Sequence, residues 1–343
     1  MPTRVLVRFV SMTAIFGALG VACGSDDGDS GSSGGGGGGK GGSGASGGSI
    51  NLGGSGGSSA AGGGGSGGGA ADGGLGCGQV LGVVRDFRSS HPDFECTKDN
   101  PVKVVDPDNK DCGPWDPAIV GPLGTAIGAN SKPKYAGGTK TASTTGAANF
   151  DQWFNDAAGI NASKQVVFQL VGNSKGTFVY ETSFFFPIDG QLFDAEPNNP
   201  DSNFFPSDDG KKRNFHFTYE LHTTFRYKPG STFLFRGDDD VFVYINGKLA
   251  VNIGGIHVPM EGKIDLDKGR VEITSPMGFP TLSVNAGLGF TESIAGGVAG
   301  SVDLGVTQNE IYPMDFFFAE RNCCASNFRI ETNFEFVDCG IVK

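Results

Sequence analysis

The order of hydrophobic and polar residues predicts a chain built mainly from β-strands. Apolar and polar residues alternate almost without fault over residues 215–226, and residues 327–336 repeat the pattern. A period of two is typical of half-buried antiparallel strands. We therefore expect His216 and His222, on the polar face of the first segment, to be solvated. Further strand-like segments are residues 79–87, 166–171, 177–186 and 311–319.

Helical periodicity is confined to one place. Phe150, Trp153, Phe154 and Ala157 fall on one helical face, which predicts a short helix over residues 149–158 whose aromatic side chains pack in the core. Pro- and Gly-rich composition predicts surface loops over residues 97–146 and 187–213, and a hairpin or insertion over 278–305. The predicted fold class is an all-β antiparallel sandwich of roughly ten strands.

Residues 235–255 form the most informative stretch of the chain. Val241 to Ile245 are apolar on both faces, which predicts a central strand with no solvated side. Asn246-Gly247 then favours a tight hairpin turn, because both residues tolerate positive φ. Residues 248–253 read as the returning strand.

Three consecutive carboxylates, Asp238, Asp239 and Asp240, precede the central strand. Adjacent buried carboxylates repel one another unless a positive charge lies among them. Calcium accepts several oxygen ligands in flexible geometry, so we predict a Ca²⁺ site at these residues, with Asn327 as a further oxygen donor. Asn246 and His257 are the candidate ligand-binding residues. The alternative is a solvated acidic turn without a metal.

The N-terminus predicts export. Residues 1–23 combine Arg4 and Arg8 with an apolar run that ends at Gly20-Val21-Ala22-Cys23, which resembles a lipoprotein signal with Cys23 as the lipidated residue. The expected location is the outer membrane or the cell surface, and secretion is the alternative. The only expected contact with the membrane is this lipid.

Residues 24–76 are mostly Gly and Ser, and such a segment cannot bury enough apolar surface to fold, so we expect a disordered tether. The folded head is then residues 77–343. Without Cys23 six cysteines remain, an even number that suggests three disulfides in an exported domain. We expect at least one bond between the early and the late group, which together are Cys77, Cys96, Cys112, Cys323, Cys324 and Cys339.

The formal net charge of −11 argues against nucleic acid and anionic lipid headgroups as partners. No Ser-His-Asp, HExxH or phosphate-loop pattern is present. The acidic residues Glu181, Glu220 and Asp315 have no catalytic spacing, so we do not expect an enzyme, and a glycoside hydrolase is the weakest of the alternatives.

Four segments in the same order resemble the fibro-slime domain, an extracellular domain grouped with the PA14 superfamily. These segments are residues 83–95, 214–227, 235–257 and 315–332. The resemblance implies a β-sandwich with Greek-key connections. In lectin-like members, two aspartates joined by a cis peptide bind calcium, which holds sugar hydroxyls; the corresponding positions here are Asp238 and Asp239. A calcium-dependent, adhesin-like module that recognises glycans or extracellular matrix is therefore the leading hypothesis. The alternative is a structural matrix component.

Overall fold

The computed structural model describes residues 79–94, 115–174, 176–196, 205–206, 210–322 and 325–338. All of them belong to one compact unit that spans residues 72–343. The predicted signal sequence, the tether and all seven cysteines, including Cys23, lie outside the described residues, so the predicted lipidation and disulfides stay predictions. No helix within the described ranges is long and apolar enough to cross a bilayer.

The described part of the head is an antiparallel β-sandwich, which confirms the predicted all-β fold class. Seven described strands form sheet A: β1 (Gln79–Phe87), β2 (Asn161–Gln169), β7 (Phe217–Arg226), β9 (Asp240–Ile245), β10 (Lys248–Ile253), β15 (Ile311–Glu320) and β17 (Glu335–Asp338). Their order is β10-β9-β15-β7-β1-β2, and β17 also pairs with β7.

Sheet B contains eight of the described strands: β3 (Val171–Gly172), β4 (Phe178–Thr182), β8 (Thr232–Gly237), β11 (Met260–Asp265), β12 (Arg270–Thr274), β13 (Phe290–Ile294), β14 (Gly297–Ser301) and β16 (Phe328–Thr332). Their order is β13-β14-β12-β11-β8-β16-β4-β3. A separate small ribbon pairs β5 (Phe205–Pro206) with β6 (Lys212–Arg213). The helices are α1 (Ala147–Asp151) and 3-10 turns at Pro117–Ile119, Leu192–Ala195 and Ala286–Leu288.

Sheet A is the middle layer of three. Its inner face packs on sheet B through side chains such as Val241, Val243 and Phe316. Its outer face is covered by residues 115–160, called the cover segment here. Phe154 of the cover segment meets Phe317 of β15 with ring centroids 4.9 Å apart. A strand covered on both sides needs apolar residues at consecutive positions. This explains the apolar run of β9, and the predicted central strand is confirmed.

The cover segment also explains where the predictions failed. His216 and His222 are buried, 2% and 3% exposed, so their predicted solvation is wrong. The helix is shorter than predicted and begins earlier, although Trp153 and Phe154 do enter the core. Residues 115–146 are not a loop that merely lies on the surface, because Ile119 is fully buried against sheet A.

The predicted strand over residues 327–336 is in fact two strands in different sheets, β16 in sheet B and β17 in sheet A. Asn333 lies at the crossover. Its side chain accepts a hydrogen bond from the Thr232 amide at 2.7 Å and donates one to the Gly230 carbonyl at 2.9 Å. These bonds replace ladder hydrogen bonds where the chain leaves sheet B. A change of sheet preserves the alternating pattern, so periodicity alone did not reveal it.

Candidate functional site

The three predicted aspartates lie where the chain crosses from sheet B to sheet A. Strand β8 ends at Gly237 and β9 begins at Asp240, so Asp238 and Asp239 make the corner. A Cβ on Gly237 would come within 2.3 Å of the Asn327 carbonyl oxygen, which explains the glycine. Asp239 has φ +62°, a left-handed conformation that aspartate tolerates better than most residues. Among the described residues the only cis peptide bond is Phe279–Pro280, so Asp238 and Asp239 are joined in trans.

Asp240 is paired with Arg321, a residue that the sequence analysis did not identify. The Arg321 Nε lies 2.5 Å from Asp240 Oδ2 and its Nη2 lies 3.1 Å from Oδ1, with both side chains fully buried. This bidentate geometry is the strongest form of carboxylate–guanidinium pairing. The positive charge required by the aspartates is thus supplied, at least for Asp240, by the chain itself.

Arg321 also ties the corner to the cover segment. Its Nη1 donates to the carbonyl oxygens of Asp93 at 3.0 Å and Ser143 at 2.7 Å. Its guanidinium carbon lies 4.5 Å from the centroid of the Trp153 ring, within cation–π range. An arginine with this many contacts is held in one orientation.

The other two aspartates accept hydrogen bonds from neighbouring backbone. Asp239 accepts from the amides of Arg321 at 2.7 Å and His257 at 3.3 Å. Asp238 accepts from the Asn327 amide and from the Asn327 Nδ2 at 2.9 Å. These bonds link the corner to the ends of β15, β10 and β16, and they explain why carboxylates 5% exposed or less are tolerated there.

Glu320 is the unexpected member of the site. It is fully buried at the end of β15, and neither carboxylate oxygen has a hydrogen-bond partner of standard geometry among the described residues. Burial, together with the charges of Asp239 and Asp238, raises the pKa of Glu320 well above its usual range, and the nearby Ser326 and Asn322 offset only part of this. An orphaned buried carboxylate is costly, and it is rare in folded proteins. It therefore needs a proton or a cation.

Carboxylates outnumber cations among the residues that we call the acidic corner: Asp238, Asp239, Asp240, Glu320 and Arg321. One guanidinium cannot balance four carboxylates. Burial raises the pKa of Asp239 well above its usual range, and it raises that of Asp240 to about 6 although Arg321 acts in the opposite direction. The corner therefore binds protons more tightly than ordinary aspartates do, or it accepts a positive ion.

The remaining predicted site residues fall in different places. Asn327 uses its amide nitrogen on Asp238, and His257 lies beside Asp239. Burial lowers the pKa of His257 to about 4, so its ring is neutral at pH 7. Its Nδ1 lies 3.0 Å from the Val258 carbonyl oxygen, and its Nε2 has no hydrogen-bond partner of standard geometry within the described part of the chain. Asn246 is at the other end of β9, about 20 Å of strand away, where its Nδ2 donates to the Leu304 carbonyl at 2.9 Å.

The residues of the acidic corner meet some of the requirements of a cation-binding site. Within the described residues, no group of three or more His, Cys, Asp or Glu side chains is already arranged to hold a metal ion. Asp240 is engaged by Arg321. The feature that fits a hard cation is the orphaned carboxylate of Glu320 beside Asp238 and Asp239, an all-oxygen set of the kind that calcium prefers.

A second buried ionic group lies on the outer face of sheet A, and we call it the balanced cluster: Arg85, Lys132, Glu220, His222 and Asp315. Arg85 Nη1 lies 3.0 Å from Glu220 Oε1, Lys132 Nζ is bonded to Glu220 Oε2, and His222 Nδ1 lies 2.6 Å from Asp315 Oδ1. The cluster joins the cover segment, through Lys132, to β1, β7 and β15. Glu181, the other acidic residue considered for catalysis, pairs with Arg329 on sheet B instead.

Comparison with known proteins gives relatives of part of the chain. The chain is similar to protein psiQ of Dictyostelium discoideum, with 32% identity over 201 residues, which is 57% of the chain and 17% of psiQ. It is also similar to psiR, 30% identical over 64% of the chain and 19% of psiR, and to psiC, 30% identical over 63% of the chain and 37% of psiC. The chain thus spans less than two fifths of the length of each of these relatives. No protein-family profile matches the chain.

Proposed function

We propose that the head is a calcium-dependent binding module at the cell surface that recognises a glycan or an extracellular matrix polymer. The observation that supports the proposal is the excess of buried carboxylates over cations at the acidic corner, above all the orphaned Glu320. Asp238, Asp239 and Glu320 would hold the ion, while Asp240 stays with Arg321. Compared with the metal ligands predicted from sequence, Glu320 is added, while Asp240 and Asn327 are removed.

Bound calcium would supply positive charge and coordination positions for ligand hydroxyl groups. The chain's own residues hold the site in place. Arg321 fixes the end of β15 against β9, and Asn327 holds Asp238 in place from β16. The resemblance to fibro-slime and PA14 domains supports a role in binding. Surface anchoring through Cys23 is part of the proposal. The N-terminal sequence alone supports it, because the relatives compared are from an amoeba and do not bear on this anchor.

A structural matrix role without a metal is the second candidate. The observation that favours it is the pairing of every aspartate at the corner within the chain: Asp240 with Arg321, Asp239 with backbone amides and Asp238 with Asn327. In that case Glu320 would be protonated, and the corner would serve only to join the two sheets.

Calorimetric titration of the purified chain with calcium separates the two candidates. We expect binding, with a rise in melting temperature; saturation at about a hundred times the dissociation constant stabilises the native state by roughly 2.7 kcal/mol. Asp238→Asn combined with Asp239→Asn should abolish both effects, and Glu310→Gln, at an exposed carboxylate, should change neither. If the wild type shows no binding heat and no thermal shift at millimolar calcium, the calcium proposal fails and the structural role replaces it.

A further inference from the structure

A long segment without charged residues lies at one edge of sheet B. Residues 273–291 contain no Asp, Glu, Lys, Arg or His, although the chain as a whole carries a net charge of −11. Within this stretch, residues 275–289, called the neutral loop here, expose large apolar side chains: Met277 is 66% exposed, Val284 51% and Phe279 39%. Contiguous exposed apolar residues on an otherwise charged surface mark a binding surface.

The neutral loop forms one wall of a groove of about 260 Å³, and Trp115, Pro117 and Ala118 of the cover segment form the other. The groove combines apolar surface from Trp115, Pro117 and Pro280 with the polar side chains of Thr281, Ser283 and Asn285, and none of its lining residues is charged. Its volume is somewhat below that of pockets that enclose a drug-sized ligand, so it suits a single ring. A larger cleft of about 400 Å³ beside residues 301–306 contains no aromatic residue.

The groove is held in shape by contacts on both walls. The Trp115 indole Nε1 donates to the Asn252 carbonyl at 3.1 Å, and its ring meets Phe290 edge-on at 5.1 Å. The neutral loop is tied to the cover segment by a hydrogen bond from the Leu123 amide to the Leu288 carbonyl at 3.1 Å. A binding surface that is already ordered loses less entropy when a ligand binds.

We propose that this groove binds one ring of an uncharged polysaccharide. The apolar surface at Trp115 suits the C–H face of a sugar ring, and the neighbouring hydroxyl and amide groups suit its hydroxyls. An anionic polymer is disfavoured by the negative net charge of the chain, and the groove offers no charged group to pair with a charged ligand. The inference rests on the proposed function and adds to it the class of glycan and the residues that contact the ring.

Trp115 itself provides the readout, because the chain has two tryptophans and the other, Trp153, is fully buried. The purified chain is titrated with cellohexaose, laminarihexaose, maltohexaose and chitohexaose, and with polygalacturonate as the anionic control. We expect at least one neutral hexaose to change the tryptophan emission and polygalacturonate to leave it unchanged. No change with any neutral hexaose, or a change with polygalacturonate alone, overturns the proposal.

Variants then locate the binding site by calorimetry. Trp115→Ala should weaken binding of the active hexaose roughly tenfold or more, the usual cost of removing an aromatic anchor. Met277→Ser is the control, because the Met277 side chain is exposed and apolar, belongs to the same loop and does not line the groove. It should change the affinity by no more than about twofold, well below the effect of losing an anchor. Equal weakening by both variants would show that the loop binds as a general apolar patch, and unchanged binding in Trp115→Ala would show that the sugar binds elsewhere; either result overturns the proposal.

Calcium addition in the same samples keeps the two proposals apart. If calcium raises the melting temperature but no neutral hexaose binds, the groove assignment fails and the calcium site stands. If a hexaose binds through Trp115 but calcium has no effect, the groove assignment stands and the calcium site fails.

Discussion

The acidic corner and the balanced cluster both bury carboxylates at sheet A, yet the pKa values of Asp240 and Glu220 shift in opposite directions. Burial raises the pKa of Glu220, but His222, whose Nε2 lies 3.8 Å from Glu220 Oε2, and the charges of Arg85 and Lys132 outweigh it and lower the pKa to about 2. At the acidic corner burial dominates, and the pKa of Asp240 rises to about 6 despite Arg321. The number of cations within reach, and not burial, decides the direction.

This difference assigns different roles to the two groups. In the balanced cluster two permanent cations face two carboxylates, with His222 between Asp315 and Glu220, so the cluster needs nothing from solution to join the cover segment to sheet A. In the acidic corner four carboxylates face one guanidinium. Of the two groups, the corner is the one that we expect to respond to added cations, because its carboxylates outnumber its cations.

Loss of Arg321 should have the largest effect on stability. Arg321→Met leaves Asp240 buried without its partner, which typically costs about 3–5 kcal/mol of unfolding free energy. Urea denaturation at pH 7 measures it. Arg270→Met, which removes an exposed arginine paired with Glu272 and Glu292, should change stability little. Equal effects of the two substitutions would show that the buried pair has no special role.

A neutral substitution at Glu220 should also destabilise the protein, because it leaves Arg85 and Lys132 without their shared partner. We expect Glu220→Gln to lower the unfolding free energy by about 2–4 kcal/mol at pH 7. Because the pKa of Glu220 is low, the stabilisation that its carboxylate contributes to the wild type is lost only as pH falls from about 4.5 towards about 2. If Glu220→Gln is as stable as the wild type, the balanced cluster is not a stabilising junction.

The pH dependence of stability should follow the acidic corner together with Asp86, a carboxyl group whose pKa burial raises to about 7. The folded-state pKa of Asp240 is raised from 3.8 to about 6, so the native state binds more protons than the unfolded state between these values. Unfolding free energy should therefore fall as pH rises through this range, by on the order of 2–3 kcal/mol. Asp239 and Glu320 extend the fall to higher pH, since their pKa values are also raised.

Calcium should reverse this trend, because it competes with protons for the same carboxylates and binds best when they are ionised. Urea denaturation from pH 5 to pH 8, in chelator and in millimolar calcium, gives both profiles. A stability that rises with pH in chelator would contradict the charge excess at the corner.

The sequence predicted the sandwich well where periodicity was sufficient. Residues 79–87 and 248–253 form the expected strands, and β9 is the expected central one. The apolar residues on both faces of β9 indicated that a further layer covers sheet A. The alternating segment around His216 and His222 gave no such indication, because polar residues that are buried in ion pairs and polar residues that face water produce the same sequence pattern.

The acidic corner was predicted only in part, because its cation comes from a distant part of the chain. Arg321 is 81 residues from Asp240, and only the pairing of β15 with β9 brings them together. Ala319 pairs with Asp240, and period two places Arg321 on the same face as Ala319 and Glu320 on the other, so the two residues diverge to opposite sides of the sheet. Strand partners are not evident from one sequence.

The charge excess at the acidic corner depends most directly on Glu320, and one substitution examined with and without calcium tests it. In chelator Glu320→Gln replaces a buried carboxyl group that has to bind a proton by a neutral amide, so we predict unchanged stability or a gain of about 1 kcal/mol at pH 7.5, opposite in sign to Glu220→Gln. In millimolar calcium the wild type should gain stability and Glu320→Gln should gain much less, because it lacks one ligand. A loss of stability in chelator together with an undiminished response to calcium would contradict both the charge excess and the proposed ligand set.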